Sequence, residues 1–234
     1  YIQPKFSILP SGEKCCGGEV LVRWKSDVMG FLTPDKFIPQ FEQNGFILEL
    51  DLYMLRHSLE LITSWIRSGK QPYQLSINLS TVSLTNPSYL ERMHNIMKNY
   101  DVPTDLIEIE ITESAISERY NEAIVTINAL RKIGFSIAMD DFGTGYSSLN
   151  KMKDLTLDVL KIDREFLAKS TKSSKNKMIV KNIINMAKDI DMKIVCEGVE
   201  TEDQLEFLRT QGCDMVQGYL LSQPVNATIF ESKY

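Results

Sequence analysis

Seven polar side chains terminate short apolar runs in this chain: Glu19, Asn78, Glu110, Asp140, Lys161, Glu197 and Gln217. Asp141 follows Asp140 directly. If the runs are neighbouring strands, Glu19, Glu110, Asp140, Asp141 and Glu197 share one rim in partly excluded solvent. Unpaired carboxylates there cost several kcal/mol each or take up protons. Basic side chains or divalent cations can relieve that cost. The strand ends supply Lys161 and Arg23 against at least five acids, so cations are the better account. An all-oxygen ligand set that includes an Asn selects hard ions such as Mg²⁺ or Mn²⁺. Adjacent Asp140 and Asp141 let one carboxylate bridge two ions while its neighbour holds the second. Two ions roughly 3.5–4 Å apart generate hydroxide and steady the attacking and leaving oxygens of an in-line phosphoester hydrolysis. An acidic site can thus take an acidic substrate.

The elements that must position these groups are legible in the pattern. The stretches GEVLVRW, QLSINLS, LIEIEITE, FSIAMDD, VLKIDR, KIVCEGVE and MVQGYLL read as buried strands, most of them separated by helical patterns, and that alternation implies a parallel sheet. With an opening strand over residues 1–9 there are eight, which predicts a single α/β domain, a (β/α)8 barrel of the TIM type spanning 1–234. In such a barrel the loops after the strands carry the chemistry. A Gly-rich turn through Ser11-Gly12 and Gly17-Gly18 is expected before a second strand over Glu19–Trp24. Residues two apart on a strand share a face, so Glu19 travels with Leu21 and Arg23, Glu108 with Glu110 and Thr112, and Lys161 with Asp163. Helices are predicted near Asp35–Gln43 and over Leu48–Ser68, where Leu48, Leu52, Leu55, Leu59, Ile62 and Ile66 keep helical spacing. Further helices follow: one capped by Asn86 with Pro87 at its first position, one over Glu118–Ile133 ending at Gly134, one over 176–190, and a last one opened by the capping box Thr201–Gln204 and closed by Gly212. After Asp141, the segment Phe142-Gly143-Thr144-Gly145-Tyr146-Ser147-Ser148 can bring backbone N–H groups near phosphates or rearrange around a ligand. The polar, basic run Lys169–Lys175 reads as a solvated loop between a strand and a helix.

Composition narrows the classes. The chain has 234 residues, 43% of them hydrophobic and 24% charged, with a net charge of −5. That balance weighs against duplex nucleic acid as a partner, which needs a basic face, and no apolar stretch approaches the ~20 residues that span a bilayer. The opening Tyr1-Ile2-Gln3-Pro4 lacks an initiator Met, so the chain is expected to be a domain of something longer. Of four cysteines, Cys15, Cys16, Cys196 and Cys213, none forms a C-x-x-C pair, and two histidines give little basis for a zinc site.

Taken in order, Gln3-Pro4, Glu19-Val20-Leu21-Val22-Arg23-Trp24, Ser76-Ile77-Asn78-Leu79-Ser80, Glu110-Ile111-Thr112-Glu113-Ser114, Asp140 to Gly145, Lys161-Ile162-Asp163, Glu197-Gly198-Val199-Glu200 and Gln217-Gly218-Tyr219 resemble the EAL-domain cyclic di-GMP phosphodiesterases over nearly the whole chain. The resemblance implies a modified barrel with its first strand antiparallel and hydrolysis of cyclic di-GMP to linear pGpG. It implies Glu19, Asn78, Glu110 and Asp140 as ligands of one metal ion, with Asp140 and Asp141 on a second. Lys161 and Glu197 would orient and activate the attacking water with Gln217 close by, and Glu113 would pin the Asp141–Ser148 loop. Gln3, Leu21, Arg23, Asp163 and Glu200 are implied as substrate contacts. Mg²⁺ or Mn²⁺ would support turnover, whereas Ca²⁺ would bind and support it poorly. A homodimer paired around the Asp141–Ser148 loop is implied, as are an upstream sensor or cyclase domain and a cytoplasmic location in a full-length protein that could be membrane-anchored. The name-giving triplet is here Glu19-Val20-Leu21, and the alternation of the strand turns Val20 away from Glu19 into packing. A catalytically silent receptor for cyclic di-GMP is the alternative, but it would be favoured by a lost ligand or a scrambled Asp-Asp-Phe-Gly loop, and neither occurs. Individually, Lys161 also suits a plain salt-bridge partner, and Glu113 and Glu200 suit ordinary acids at helix starts.

Overall fold

A computed structural model describes residues 1–143, 155–170 and 174–234, with 168–170 and 174 in backbone only. β1 (Ile2–Leu9) and β2 (Gly12–Val20) form an antiparallel hairpin turning at Pro10-Ser11. Six further strands then follow in parallel succession: β5 (Gln74–Asn78), β6 (Ile107–Thr112), β7 (Ser136–Phe142), β8 (Val159–Ile162), β9 (Lys193–Cys196) and β10 (Met215–Val216). The last returns to β1 in antiparallel register and closes an eight-stranded barrel. The antiparallel first strand is therefore present as the resemblance implied. Closure leaves the barrel no free edge.

The helices pack around this barrel because each keeps an apolar stripe for it. Ile47–Arg67 buries Leu48, Leu52, Leu55, Leu59, Ile62 and Trp65. The expected Ile66 is 39% exposed instead, since Trp65 takes the inward place and stacks on Phe230. Glu202–Gln211 opens with the predicted capping box and ends at left-handed Gly212.

Several expectations about element boundaries are corrected. Gly17 and Gly18 lie within β2 rather than in a turn, and a side chain at either would collide, with the Gln74 carbonyl at 2.6 Å or with Ile2 at 2.4 Å. That strand ends at Val20, so Leu21 and Arg23 do not share a strand face with Glu19. Trp24–Ser26 is a separate strand, β3, paired with β4 (Gly30–Leu32) outside the barrel. Asn86 does not cap a helix. Its side-chain Oδ1 accepts from the Ser88 N–H and hydroxyl, and the helix begins at Tyr89. A short helix, Thr81–Leu84, precedes it. The helix expected over Glu118–Ile133 begins at Tyr120, and Glu118 instead closes a separate short helix, Glu113–Glu118. The chain ends in one more helix, Ala227–Lys233, capped by Asn226. Residues 169–170 close a helix Arg164–Ser170 that intervenes after β8, and 171–173 lie outside the described residues. Among the described residues no helix is long and apolar enough to cross a membrane.

The barrel interior is divided. Toward β7, β8 and β9, Ala138, Val159 and Val195 pack with Met215 in a small apolar cluster. Toward β1, β5 and β6 the interior is polar, with Lys5, Ser76 and Glu108 all buried.

Candidate active site

The parity of each strand decides which side chains reach the rim. Glu19 stands opposite Gln3 and Ser76, Asn78 beside Glu110, and Thr112 beside Asp140. Glu197 and Gln217 lie one position past β9 and β10, and their N–H groups continue the ladder to Ile162 and Cys196. Asp140 and Asp141 are adjacent, so a regular strand would send them to opposite faces. A bulge between Met139 and Phe142 prevents this, with Asp141 left-handed at φ 55° and its N–H donating to Asp140 Oδ1 at 2.8 Å. Bulges re-aim side chains in this way beside active sites.

Lys161 is the hub. Fully buried, its Nζ lies 2.6 Å from Glu110 Oε2, 2.7 Å from Glu197 Oε1, 3.2 Å from Asp140 Oδ1 and 3.4 Å from Glu19 Oε2. Burial opposes its charge, but Glu110, Glu19, Glu197 and Asp140 hold the ammonium well above the usual lysine range. Glu19 also accepts from Asn78 Nδ2 at 2.9 Å and from Gln217 Nε2 at 2.8 Å. Burial works against its ionisation, yet Lys161 and these two amides keep its carboxyl below the ordinary range. The crowding shows in the others. Burial and then Glu19 push Glu110 well up, and burial, Asp140 and Asp163 push Asp141 to about 6. Glu197 rises to about 7, where burial together with Asp140 and Glu19 outweighs Lys161. Lys161 is thus a salt-bridge partner in geometry, and its salt bridges join the rim acids to one another.

The remaining predicted residues surround this centre. Glu113 is the first residue of Glu113–Glu118, and its Oε2 accepts from the Gly143 N–H at 2.6 Å. It therefore ties that helix to the start of the loop after Asp141, and residues 144–148 of the loop lie outside the described residues. Gln3 is buried and donates to the Ser222 carbonyl at 2.6 Å. Arg23 lies over the Tyr1 ring at 5.8 Å and donates to the Val22 carbonyl. Asp163 Oδ1 accepts from the Glu165 N–H at 2.7 Å, and Glu200 is exposed beside the capping box. Leu21 lines a cavity of about 310 Å³ with Asn78, Asp51, Ser80 and Thr112, directly beside the rim. A larger cavity of about 540 Å³ between Leu9 and Asp214 contains none of the predicted site residues. Val20 is buried in the main core, away from Glu19, as its alternation required.

Among the described residues, three buried charged groups, Lys5, Glu108 and Asp51, carry no expected role from the sequence. Lys5 Nζ lies 2.6 Å from Glu108 Oε1 and also contacts Ser76 Oγ and, at 3.8 Å, Glu110 Oε1. Its signal was present: it shares parity with Gln3. Glu108 was placed on the inward face but given no role. Asp51 Oδ2 accepts from the Ser80 N–H and hydroxyl at 3.1 and 2.6 Å, anchoring the segment that carries Asn78. The cysteines stay apart from this chemistry, with Cys15 pushed up to about 11 by burial and Cys196 and Cys213 both buried.

The rim suits hard cations in its donors. All of its acceptors are oxygens, and among the described residues the buried Glu110 Oε1 and Gln217 Oε1 accept no hydrogen bond. Glu19, Glu108, Glu110, Asp140, Asp141 and Glu197 outnumber the two ammoniums Lys5 and Lys161. Among the described residues, no three Asp, Glu, His or Cys side chains are set around a common point as a cage; Lys161 gathers the carboxylates.

Comparison with known proteins follows the same lines. A family model described as EAL domain matches residues 1–224. The Pseudomonas aeruginosa protein named cyclic di-GMP phosphodiesterase NbdA is 37% identical over 213 residues, covering 91% of this chain and 27% of its own length. The Escherichia coli K12 protein named probable cyclic di-GMP phosphodiesterase PdeB is 36% identical over 223 residues, covering 95% and 42%. This chain therefore spans less than half of either relative. Among solved structures, PaMucR phosphodiesterase in complex with c-di-GMP superposes with a TM-score of 0.90 at 33% identity, covering 98% of this chain and 92% of that one.

Proposed function

This chain belongs to the EAL-domain family, and from that premise we propose that it hydrolyses cyclic di-GMP to linear pGpG with two divalent cations, Mg²⁺ or Mn²⁺. The observation that carries the reading is the ring of rim carboxylates around Lys161, with more acids than the buried ammoniums can neutralise. The names of the matched relatives support the substrate.

Glu19, Asn78, Glu110 and Asp140 would hold one cation, and Asp140 and Asp141 a second. When bound there, such ions acidify a water and stabilise charge on phosphoester oxygens. The chain's own groups do the rest. Lys161 Nζ, whose charge the surrounding carboxylates favour, orients the attacking water. Glu197, whose pKa of about 7 is matched to neutral pH, takes the proton from that water. Gln217 Nε2 holds Glu19 in place. Gln3, Leu21, Arg23, Asp163 and Glu200 are assigned to the substrate, and the cavity beside Leu21 is where a base would lie. Glu113 holds the following loop through Gly143. We assign the domain to the cytoplasm, as a homodimer paired around 141–148, in a longer chain with a sensor or cyclase domain upstream that could be membrane-anchored. The greater length of the matched relatives supports such a chain.

The test is chromatography of cyclic di-GMP incubated with the purified domain and Mg²⁺, Mn²⁺ or excess chelator. Metal-dependent pGpG is expected. Retained ligand binding without pGpG would make the domain a receptor instead.

A further inference from the structure

The polar layer beneath the rim contains an ammonium that the proposed chemistry leaves unused. Lys5 is 2% exposed and reaches across the interior from β1 to β6, two strands that do not pair. An ammonium carries three donors. Ser76 Oγ and Glu108 Oε1 accept from it, and Glu108 is itself fixed by hydrogen bonds from Ser76 at 2.7 Å and Ser136 at 3.2 Å. Lys5 Nζ is thereby held 3.8 Å from Glu110 Oε1, a buried oxygen that accepts no hydrogen bond. The other oxygen of the same carboxylate is 2.6 Å from Lys161. Glu110 is thus bracketed by ammoniums on two sides, one at the rim and one below it.

We propose that Lys5 is a positioning residue that orients the Glu110 carboxylate from beneath, so that Glu110 always turns the same edge to a divalent cation. This rests on the two-cation reading above. Glu108 is the counter-charge that lets the ammonium occupy a dry interior, since a buried charge persists only when paired and hydrogen-bonded. Groups one layer behind a metal ligand commonly alter metal affinity about 10–100-fold when replaced.

The experiment is a titration of the domain with Mn²⁺ alone, following free Mn²⁺ by electron paramagnetic resonance without substrate. Lys5→Met combined with Glu108→Gln removes both charges and leaves neither orphaned. That pair is expected to weaken Mn²⁺ binding by at least about tenfold, and to have no further effect when Glu110→Gln is already present. Wild-type or tighter binding by the pair, or an equal loss in the Glu110→Gln background, would overturn the assignment. If the pair lacks the wild-type circular dichroism, Ser76→Ala decides, because it keeps both charges and removes an oxygen that seats the ammonium. Ser76→Ala is then expected to weaken binding about threefold, and an unchanged affinity would overturn the proposal. Failure of the cation reading looks different: wild-type protein takes up no Mn²⁺, or Glu110→Gln binds it as wild type does, and the Lys5 assignment then falls with it.

Discussion

Glu197 combines two properties that suit it to proton transfer. It lies 2.7 Å from the Lys161 ammonium, and burial, with Asp140 and Glu19 nearby, brings it to about 7. A carboxylate in that range can take a proton at neutral pH and release it again. Glu197→Gln keeps the shape and removes the base, so kcat should fall about 10²–10⁴-fold with KM little changed. Steady-state kinetics on cyclic di-GMP, paired with equilibrium binding of the same ligand, measures both. A matching loss of binding would make Glu197 a substrate or structural group. At this scale the sequence was readable wherever a polar residue ended an apolar run, as at Glu110 and Lys161. It was less so at Lys5, which sits mid-strand between Pro4 and Phe6, where only parity with Gln3 marks it as inward. Nothing in one strand's pattern reveals that its partner, Glu108, waits across the barrel.

Elements bring these residues into register at two special places. The first is the bulge that turns Asp140 and Asp141 toward a common rim. The second is the seam between the segments after β9 and β10, where Gly218 lies against Val199. A Cβ on Gly218 would stand 2.2 Å from the Val199 carbonyl oxygen and 2.3 Å from its nitrogen, backbone atoms that cannot step aside. The same seam is bonded by the Val199 N–H to the Gln217 carbonyl and the Leu220 N–H to the Val199 carbonyl. Gly218→Ala should therefore force the two segments apart, costing about 1–3 kcal/mol as overpacking does. It should also slow turnover, because Glu197 and Gln217 flank the seam. Urea denaturation beside a rate measurement checks both, and an unshifted midpoint would show that the seam yields. Strand positions were legible because apolar runs and capping signals are local, as the Thr201 box shows. The end of β2 was not, because Leu21-Val22-Arg23-Trp24 is as apolar and alternating as the strand itself. It leaves the barrel because the chain turns out to β3 and β4, which pair with each other.

Across the whole molecule, the rim collects side chains from five barrel strands and from the segments that follow β9 and β10. The barrel closes through the pairing of β1 with β10, elements from opposite ends of the sequence. The count of strands and their parallel order followed from periodicity, whereas the antiparallel β1 came from family resemblance, since a hairpin and a crossover look alike in a strand's own pattern. A ligand clamped between so many strands binds only the folded barrel, so its binding free energy adds to global stability. At about one hundred times its Kd a ligand contributes about 2.7 kcal/mol, and for a chain of this size each kcal/mol moves the melting temperature about 2–4 °C. Ca²⁺ accepts oxygen ligands with looser geometry than Mg²⁺, so cyclic di-GMP with Ca²⁺ should raise the melting temperature by about 5–11 °C while producing little pGpG. Glu19→Ala should lose most of that rise, because Glu19 is both a ligand in the proposed cation set and the group that orders Asn78 and Gln217. Calorimetry with Ca²⁺, with chelator and without nucleotide separates the contributions. A full rise in the presence of chelator would mean that the substrate is held without cations, and equal pGpG formation with Ca²⁺ and Mg²⁺ would mean that the rim tolerates the looser ion in turnover as well as in binding.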